Sequence, residues 1–208
     1  MKKLNIKNLI ILLCILILLF SIFYSKDKNT IYISNFLSSK DFNMIKQNLY
    51  DDKRSFKNES FRKIKPLDKE NQIIYDIFYS PKYLSIINKH CNSKLFKSLF
   101  PIEHRIYPNG SKGMRWHIDT LMYDLPQYEA VFTINNNSDS VTEWIDRNIK
   151  SQWTEPNSLL LVKAQGDYHH VTSVNNGNRE ILKLIYTQSN NVNNNFYKEL
   201  ERFKKTFV

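Results

Sequence analysis

Cysteine is nearly absent, with two in 208 residues. Cys14 falls in an apolar N-terminal run and Cys91 stands alone in the remainder, so no disulfide framework can hold the fold. Cys91 reads as a small buried hydrophobe and not as a reactive thiol, and the redox compartment is left open. Glycine is scarce too, at four, and the packing area falls to twelve tyrosines and thirteen phenylalanines. Acidic residues are outnumbered, twenty against thirty lysines and arginines, for a net charge of +10. Yet a dense basic run is missing: the most charged stretch, "DDKRSFKNESFRKIK", carries acids of its own. A spread excess of this kind describes a solvated face beside a membrane, and nucleic acid is not an expected partner on charge alone. No internal repeat is evident.

What is present first is "LIILLCILILLFSIFY", Leu9 to Tyr24, sixteen residues without a charge inside eighteen uncharged positions between Lys7 and Lys26. At about 1.5 Å per residue such a helix spans a bilayer core if the flanking lysines snorkel. A cleaved signal and a buried core helix compete with that reading, but "SIFYSKD" lacks the small-x-small pattern of a cleavage site. The expectation is a single-pass membrane protein, with residues 1–8 as a cytoplasmic tail and 9–25 as an uncleaved anchor. Lys2, Lys3 and Lys7 precede the span, against Lys26 and Lys28 with Asp27 after it. That bias puts the N-terminus in the cytoplasm and the body on the lumenal or outer side.

The remainder, about 180 residues, is the size of one domain with a real core. Residues 26–98 read as a helical support region behind a short strand over Ile31–Ile33. Ser38 or Ser39 can cap a helix carrying Phe42, Ile45 and Leu49 at helical spacing. "DDKRSFKNES" is a polar break. Ile73, Ile74, Ile77 and Phe78 form the next apolar face, and Ser80 with Pro81 starts another helix. Over 99–190 the period changes to short β-branched and aromatic runs, "LFPIEHRIY" to "REILKLIYT", separated by "PNGSKG", "NNNSDS", "AQGD" and "NNGN". Such a series implies a sandwich or barrel with the helices outside one sheet, an α+β domain. Residues 191–208 form a tail that begins as a loop and ends in an amphipathic helix.

Within "MRWHIDT", His117 and Asp119 share one face of a strand, because side chains alternate. An imidazole and a carboxylate side by side are two legs of a 2-His-1-carboxylate triad, which leaves three positions open on Fe(II). "DYHHVTSV" supplies two candidates for the third leg, His169 and His170. Arg179 follows across an Asn/Gly turn and heads an otherwise apolar run, where an unpaired guanidinium is costly. An oxidation that starts with O2 needs extra electrons. A 2-oxo diacid supplies them, chelating the metal with its keto-acid end and giving its far carboxylate to a guanidinium.

From Ile31 to Thr187 the sequence resembles the 2-oxoglutarate and Fe(II)-dependent dioxygenases, in particular the prolyl-4-hydroxylase-like branch, through "WHIDT" and "HHVTSVNNGNR". The resemblance implies a double-stranded β-helix, or jelly roll, with the N-terminal helices packed against its major sheet. It implies His117, Asp119 and His169 as metal ligands, Arg179 as the 2-oxoglutarate clamp, and Tyr107 as a hydrogen-bond donor to that co-substrate. It further implies hydroxylation of a protein or peptide side chain, prolyl or lysyl, with release of succinate and CO2 and with ascorbate as an accessory reductant. The family spacing selects His169. A plain four-residue hairpin would instead put His170 on the face of Arg179, and a bulge near the turn would reconcile the two. Ser173 stands where the family has proline, which should loosen the strand. No serine lies two residues beyond Arg179, which leaves Tyr107 as the second contact to the diacid.

His90 and His104 have no carboxylate at ligand spacing and read as structural. Trp116, Trp144 and Trp153 read as core or pocket wall, and Lys183, on the face of Arg179 by period two, as a lysine that snorkels to the surface, with a place at the co-substrate pocket as the alternative. Arg147, Lys150, Trp144 and Trp153 could form a basic groove with stacking aromatics for a nucleobase substrate. Small-molecule oxidation by the same chemistry is the other enzymatic alternative, and a membrane-tethered binding module the non-enzymatic one. Neither "LMYDLPQ" nor "TEWIDRNIKSQWTEPN" carries a readable specificity signal.

Overall fold

Strand β1, Thr30–Ile33, opens a computed structural model that describes residues 28–207. Helix α1, Ser39–Asp51, starts where Ser38 accepts a hydrogen bond from the Asp41 amide, so the cap is the first of the two serines. It buries Ile45 and Leu49. The polar break then resolves into a hairpin, β2 (Lys57–Glu59) and β3 (Arg62–Pro66). Helices α2 (Gln72–Phe78) and α3 (Pro81–Cys91) follow, the second with Ser80 as cap and Pro81 in its first turn. Nine strands come next: β4 (Phe96–Lys97), β5 (Glu103–Tyr107), β6 (Met114–His117), β7 (Tyr128–Asn136), β8 (Thr142–Asp146), β9 (Asn148–Gln152), β10 (Leu159–Lys163), β11 (His169–Val171) and β12 (Arg179–Thr187). Helix α4, Asn194–Phe207, closes the chain.

Two antiparallel sheets result. The major sheet runs β1-β10-β7-β12-β5-β3-β2, with β4 also on β12, and the minor sheet runs β6-β11-β8-β9. This is the jelly-roll arrangement, and the stretch read as helical support also contributes β1 and the β2–β3 hairpin to the major sheet. Alternation along β12 sorts its two faces. Leu182, Leu184 and Tyr186 pack with Ala130, Phe132 and Leu161 under α1–α3, in a core where Phe132 meets Phe36, Phe42 and Phe78. Cys91 lies in that core, and burial pushes its thiol up to about 12. Arg179, Ile181 and Lys183 point the other way, into the space between the sheets. Helix α4 lays Phe196, Leu200 and Phe203 against Phe100, Met122, Tyr123 and Ile185 and walls one end of that space.

The hairpin is tied down by ions. Lys65, 2% exposed, donates to Asp52 at 3.1 Å, and Arg54 grips the same carboxylate at 2.6 Å. The Arg54 hydrogen bond holds Asp52 well below the carboxylate range, against burial, which pushes it up. Asp52→Asn should therefore cost about 3–5 kcal/mol, because a buried ammonium loses its counterion. Urea unfolding measures this at neutral pH. The contribution is present above the unfolded carboxylate value and is lost only as pH falls through the depressed folded one.

The anchor expected over residues 9–25 lies outside the described residues. Among the described residues no helix is long and apolar enough to cross a membrane. The longest, α4, has 14 residues and carries lysines and glutamates, and at about 1.5 Å per residue it falls short of a bilayer core of roughly 30 Å. The expectation of a single-pass membrane protein with its body on the lumenal or outer side is corrected on that finding.

Candidate active site

Strand β6 ends at His117, and β11 begins at His169 directly opposite it. Their rings lie 4.3 Å apart, and Asp119, just past β6, reaches both: Nε2 of His117 is 3.5 Å from Oδ1 and Nε2 of His169 is 3.5 Å from Oδ2. The three donor atoms fall within 4.8 Å of one another, the spacing of ligands around one ion. Each imidazole is held from behind. Nδ1 of His117 donates to the Arg115 carbonyl at 2.7 Å, and Nδ1 of His169 to the Asp167 carbonyl at 3.0 Å. With the proton on Nδ1, the Nε2 lone pair of each ring faces inward and is available to a metal. Asp167 is itself anchored, accepting from Asn29 and Thr30 at 2.9 Å.

His170 turns away. Its Nε2 lies 2.7 Å from Glu143, and its ring packs on Trp116 at 4.1 Å on the outer face of the minor sheet. The register of β11 on β6 shifts between His169 and Val171, and β12 shifts on β7 between Glu180 and Ile181. Strands β11 and β12 lie in different sheets and do not pair, so the hairpin register expected between them does not apply, and His169 and Arg179 face the same cavity from opposite sheets. Strand β11 stops at Val171, and Ser173 donates to the Lys112 carbonyl.

The close approach of the loop before β6 to β11 depends on Gly113. Its φ is +72°, and a Cβ there would lie 2.3 Å from the Val171 carbonyl oxygen, a backbone atom that cannot swing aside. Gly113→Ala should displace β11 and, with it, His169. The expected loss is about 10- to 100-fold in metal affinity, comparable to removing a group that orients a ligand, and is read by metal titration.

Behind the triad lies an inner chamber of about 90 Å³, walled by Val131, Leu160, Val162 and Ile181. Arg179 lies within it, 3% exposed, with no hydrogen-bond partner at Nε. Among the described residues no carboxylate pairs with it, and burial lowers its proton affinity. Tyr107 sits directly opposite Arg179 on β5. Burial raises the Tyr107 phenol, but Arg105, Arg62 and Arg179 together outweigh it and hold the phenol below its ordinary value. Its oxygen accepts from Arg105 at 3.5 Å, which leaves its own proton to donate into the chamber.

An outer chamber of about 450 Å³ opens from the triad toward α4 and the β2–β3 hairpin, past Phe61, Ile64, Phe100 and Phe203. Lys183 lies where the two chambers meet and pairs with Glu129 at 2.6 Å, so it is not the surface lysine the sequence suggests. Glu103 and Arg105 form a second buried pair at 2.6 Å. Sequence reading missed both pairs. The signal was there: Glu103, Arg105 and Tyr107 alternate along one strand as Arg179 and Lys183 do along another, a polar inner face on a buried sheet. Arg147, Lys150, Trp144 and Trp153 line neither chamber. His104 pairs with Glu180 at 2.7 Å on the opposite face of the major sheet.

No protein-family model matches the sequence, and no curated protein matches it. Solved structures do. An oxidoreductase of the 2OG-Fe(II) oxygenase family from Burkholderia pseudomallei superposes with a TM-score of 0.68 at 10% identity, over 79% of this chain and 87% of that one. A prolyl hydroxylase from Trichoplax adhaerens, in complex with a hypoxia inducible factor peptide fragment, gives 0.60 at 15% identity, over 89% and 94%. HygX from Streptomyces hygroscopicus, with nickel and 2-oxoglutarate bound, gives 0.59 at 10% identity, over 83% and 86%. The chain thus has the fold of the 2-oxoglutarate and Fe(II)-dependent oxygenases, prolyl hydroxylases among them.

Proposed function

We propose that this chain is an Fe(II)- and 2-oxoglutarate-dependent dioxygenase that hydroxylates a protein or peptide side chain, prolyl or lysyl, releasing succinate and CO2. One observation carries the reading: a triad with both Nε2 atoms turned inward toward Asp119 shares a chamber with a buried guanidinium that, among the described residues, has no carboxylate of its own. A buried cation without a counterion is costly, and a diacid would supply the missing charge. His117, Asp119 and His169 would hold Fe(II), which with the 2-oxo acid supplies the oxidising chemistry. Arg179 would clamp the far carboxylate and Tyr107 would donate to it. Val131, Leu160 and Val162 exclude water from the co-substrate's chain. The outer chamber, larger than one side chain requires, receives the substrate residue with its neighbours between α4 and the β2–β3 hairpin. A peptide occupies the related fold of the Trichoplax prolyl hydroxylase, which supports a peptide here.

The chain loaded with Fe(II), 2-oxoglutarate and ascorbate and incubated with a peptide library should release succinate and add one oxygen to particular peptides. Mass spectrometry identifies the residue modified. Failure to take up iron at equimolar loading, with circular dichroism intact, would sink the reading.

A further inference from the structure

Among the described residues five cations line the two chambers, and four of them carry a carboxylate of their own: Arg62 with Glu59, Arg105 with Glu103, Lys183 with Glu129, and Arg202 with Glu199. Arg179 is the exception. Arg179 and Lys183 lie on the same face of β12, four residues apart, hence separated by roughly 13 Å along the strand. The triad lies beside both, since His117 and Asp119 line the inner chamber with Arg179 and the outer one with Lys183. A diacid chelated at the triad by its keto-acid end could therefore turn its far carboxylate to either cation. Turned inward it fills the small chamber; turned outward it fills the space a substrate needs.

We infer that Glu129 is a specificity residue for the co-substrate: by engaging Lys183 it leaves Arg179 as the cation open to a diacid, and so fixes which chamber the diacid enters. The inference rests on the dioxygenase reading. Its physical basis is that a carboxylate approaching Lys183 meets an ammonium already paired with Glu129, whereas among the described residues no carboxylate is paired with Arg179. Discrimination between two orientations comes as much from penalising the wrong one as from favouring the right one. Glu129 is suited to this because it stands on β7, beside β12, where the two chambers meet, and its Oε2 reaches the Lys183 Nζ at 2.6 Å.

Calorimetric titration of 2-oxoglutarate onto the full chain loaded with redox-inert Ni(II) tests this. The parent chain should bind one equivalent, and Arg179→Met should weaken binding by at least about thirtyfold, the loss of a buried charge partner. Adding Glu129→Gln to Arg179→Met should recover tenfold or more of that loss, because Lys183 is released, and adding Lys183→Met should remove the gain. Recovery that depends on Lys183 is not something a merely structural Glu129 could produce. Glu129→Met, similar in length and uncharged, replaces the glutamine variant if that one is misfolded. If the folded double variant binds no better than Arg179→Met, the inference is overturned while the dioxygenase reading stands. If binding to the parent chain ignores Arg179, the dioxygenase reading itself fails.

Discussion

Replacing His169 with alanine is expected to abolish Fe(II) binding and 2-oxoglutarate decarboxylation together, whereas His170→Ala should change metal affinity by less than about tenfold. The adjacent histidines face opposite sides of the minor sheet. His169 looks into the cavity with Nε2 3.5 Å from Asp119, and His170 looks outward to Glu143. Loss of His169 would leave two of the three proposed ligands, too few to define an octahedral face. Loss of the other removes a half-exposed pair and an aromatic contact, small terms at a surface. Metal analysis after equimolar loading separates the variants, and circular dichroism establishes that both are folded. Metal binding by the parent chain should also fall with pH in a definite direction. The Asp119 hydrogen bond holds His117 above its ordinary value, with burial opposing. A proton on that ring competes with the metal, so binding weakens as pH drops through the raised value and recovers above it. Tight metal binding by His169→Ala and none by His170→Ala would mean that the outward histidine is the ligand.

His117, His169 and Arg179 lie at strand ends, where alternation and turn residues constrain direction, whereas Asp119 lies two residues past β6 and joins His117 through the turn of the chain there, not through alternation within one strand. Choosing between His169 and His170 was not open to alternation alone, since β11 and β12 belong to different sheets and no hairpin register links either histidine to Arg179, which residue type does not reveal. The jelly roll followed from short β-branched runs, and the caps at Ser38 and Ser80 from local chemistry. The β2–β3 hairpin was hidden because Lys57–Glu59 has no apolar face: its strand is held by pairing to β3 and by the ion cluster at Asp52, not by buried hydrophobic area. The choice of the surface over the pocket for Lys183 failed for a related reason. A lysine in an apolar run usually snorkels, and only its neighbour in space, Glu129 on β7, reveals that it stays inside.

Arg179→Met should leave metal binding intact while weakening 2-oxoglutarate by about 2–5 kcal/mol, at least thirtyfold. The same substitution should stabilise the chain when no co-substrate is present. These opposite signs follow from one fact. The guanidinium is 3% exposed and, among the described residues, pairs with no carboxylate, so in the empty protein it carries a desolvation cost that Tyr107 only partly opposes. A methionine of similar length fills the space without that cost, and thermal unfolding of metal-loaded protein should shift upward. With 2-oxoglutarate added, the parent chain should gain stability as RT ln(1 + [L]/Kd) and overtake the variant, whose curve should stay flat over the same range. Crossing melting curves would identify Arg179 as a residue kept for the ligand at the expense of the fold. Parallel curves, with the variant less stable at every concentration, would instead assign Arg179 a packing role and move the diacid's anchor elsewhere in the chamber.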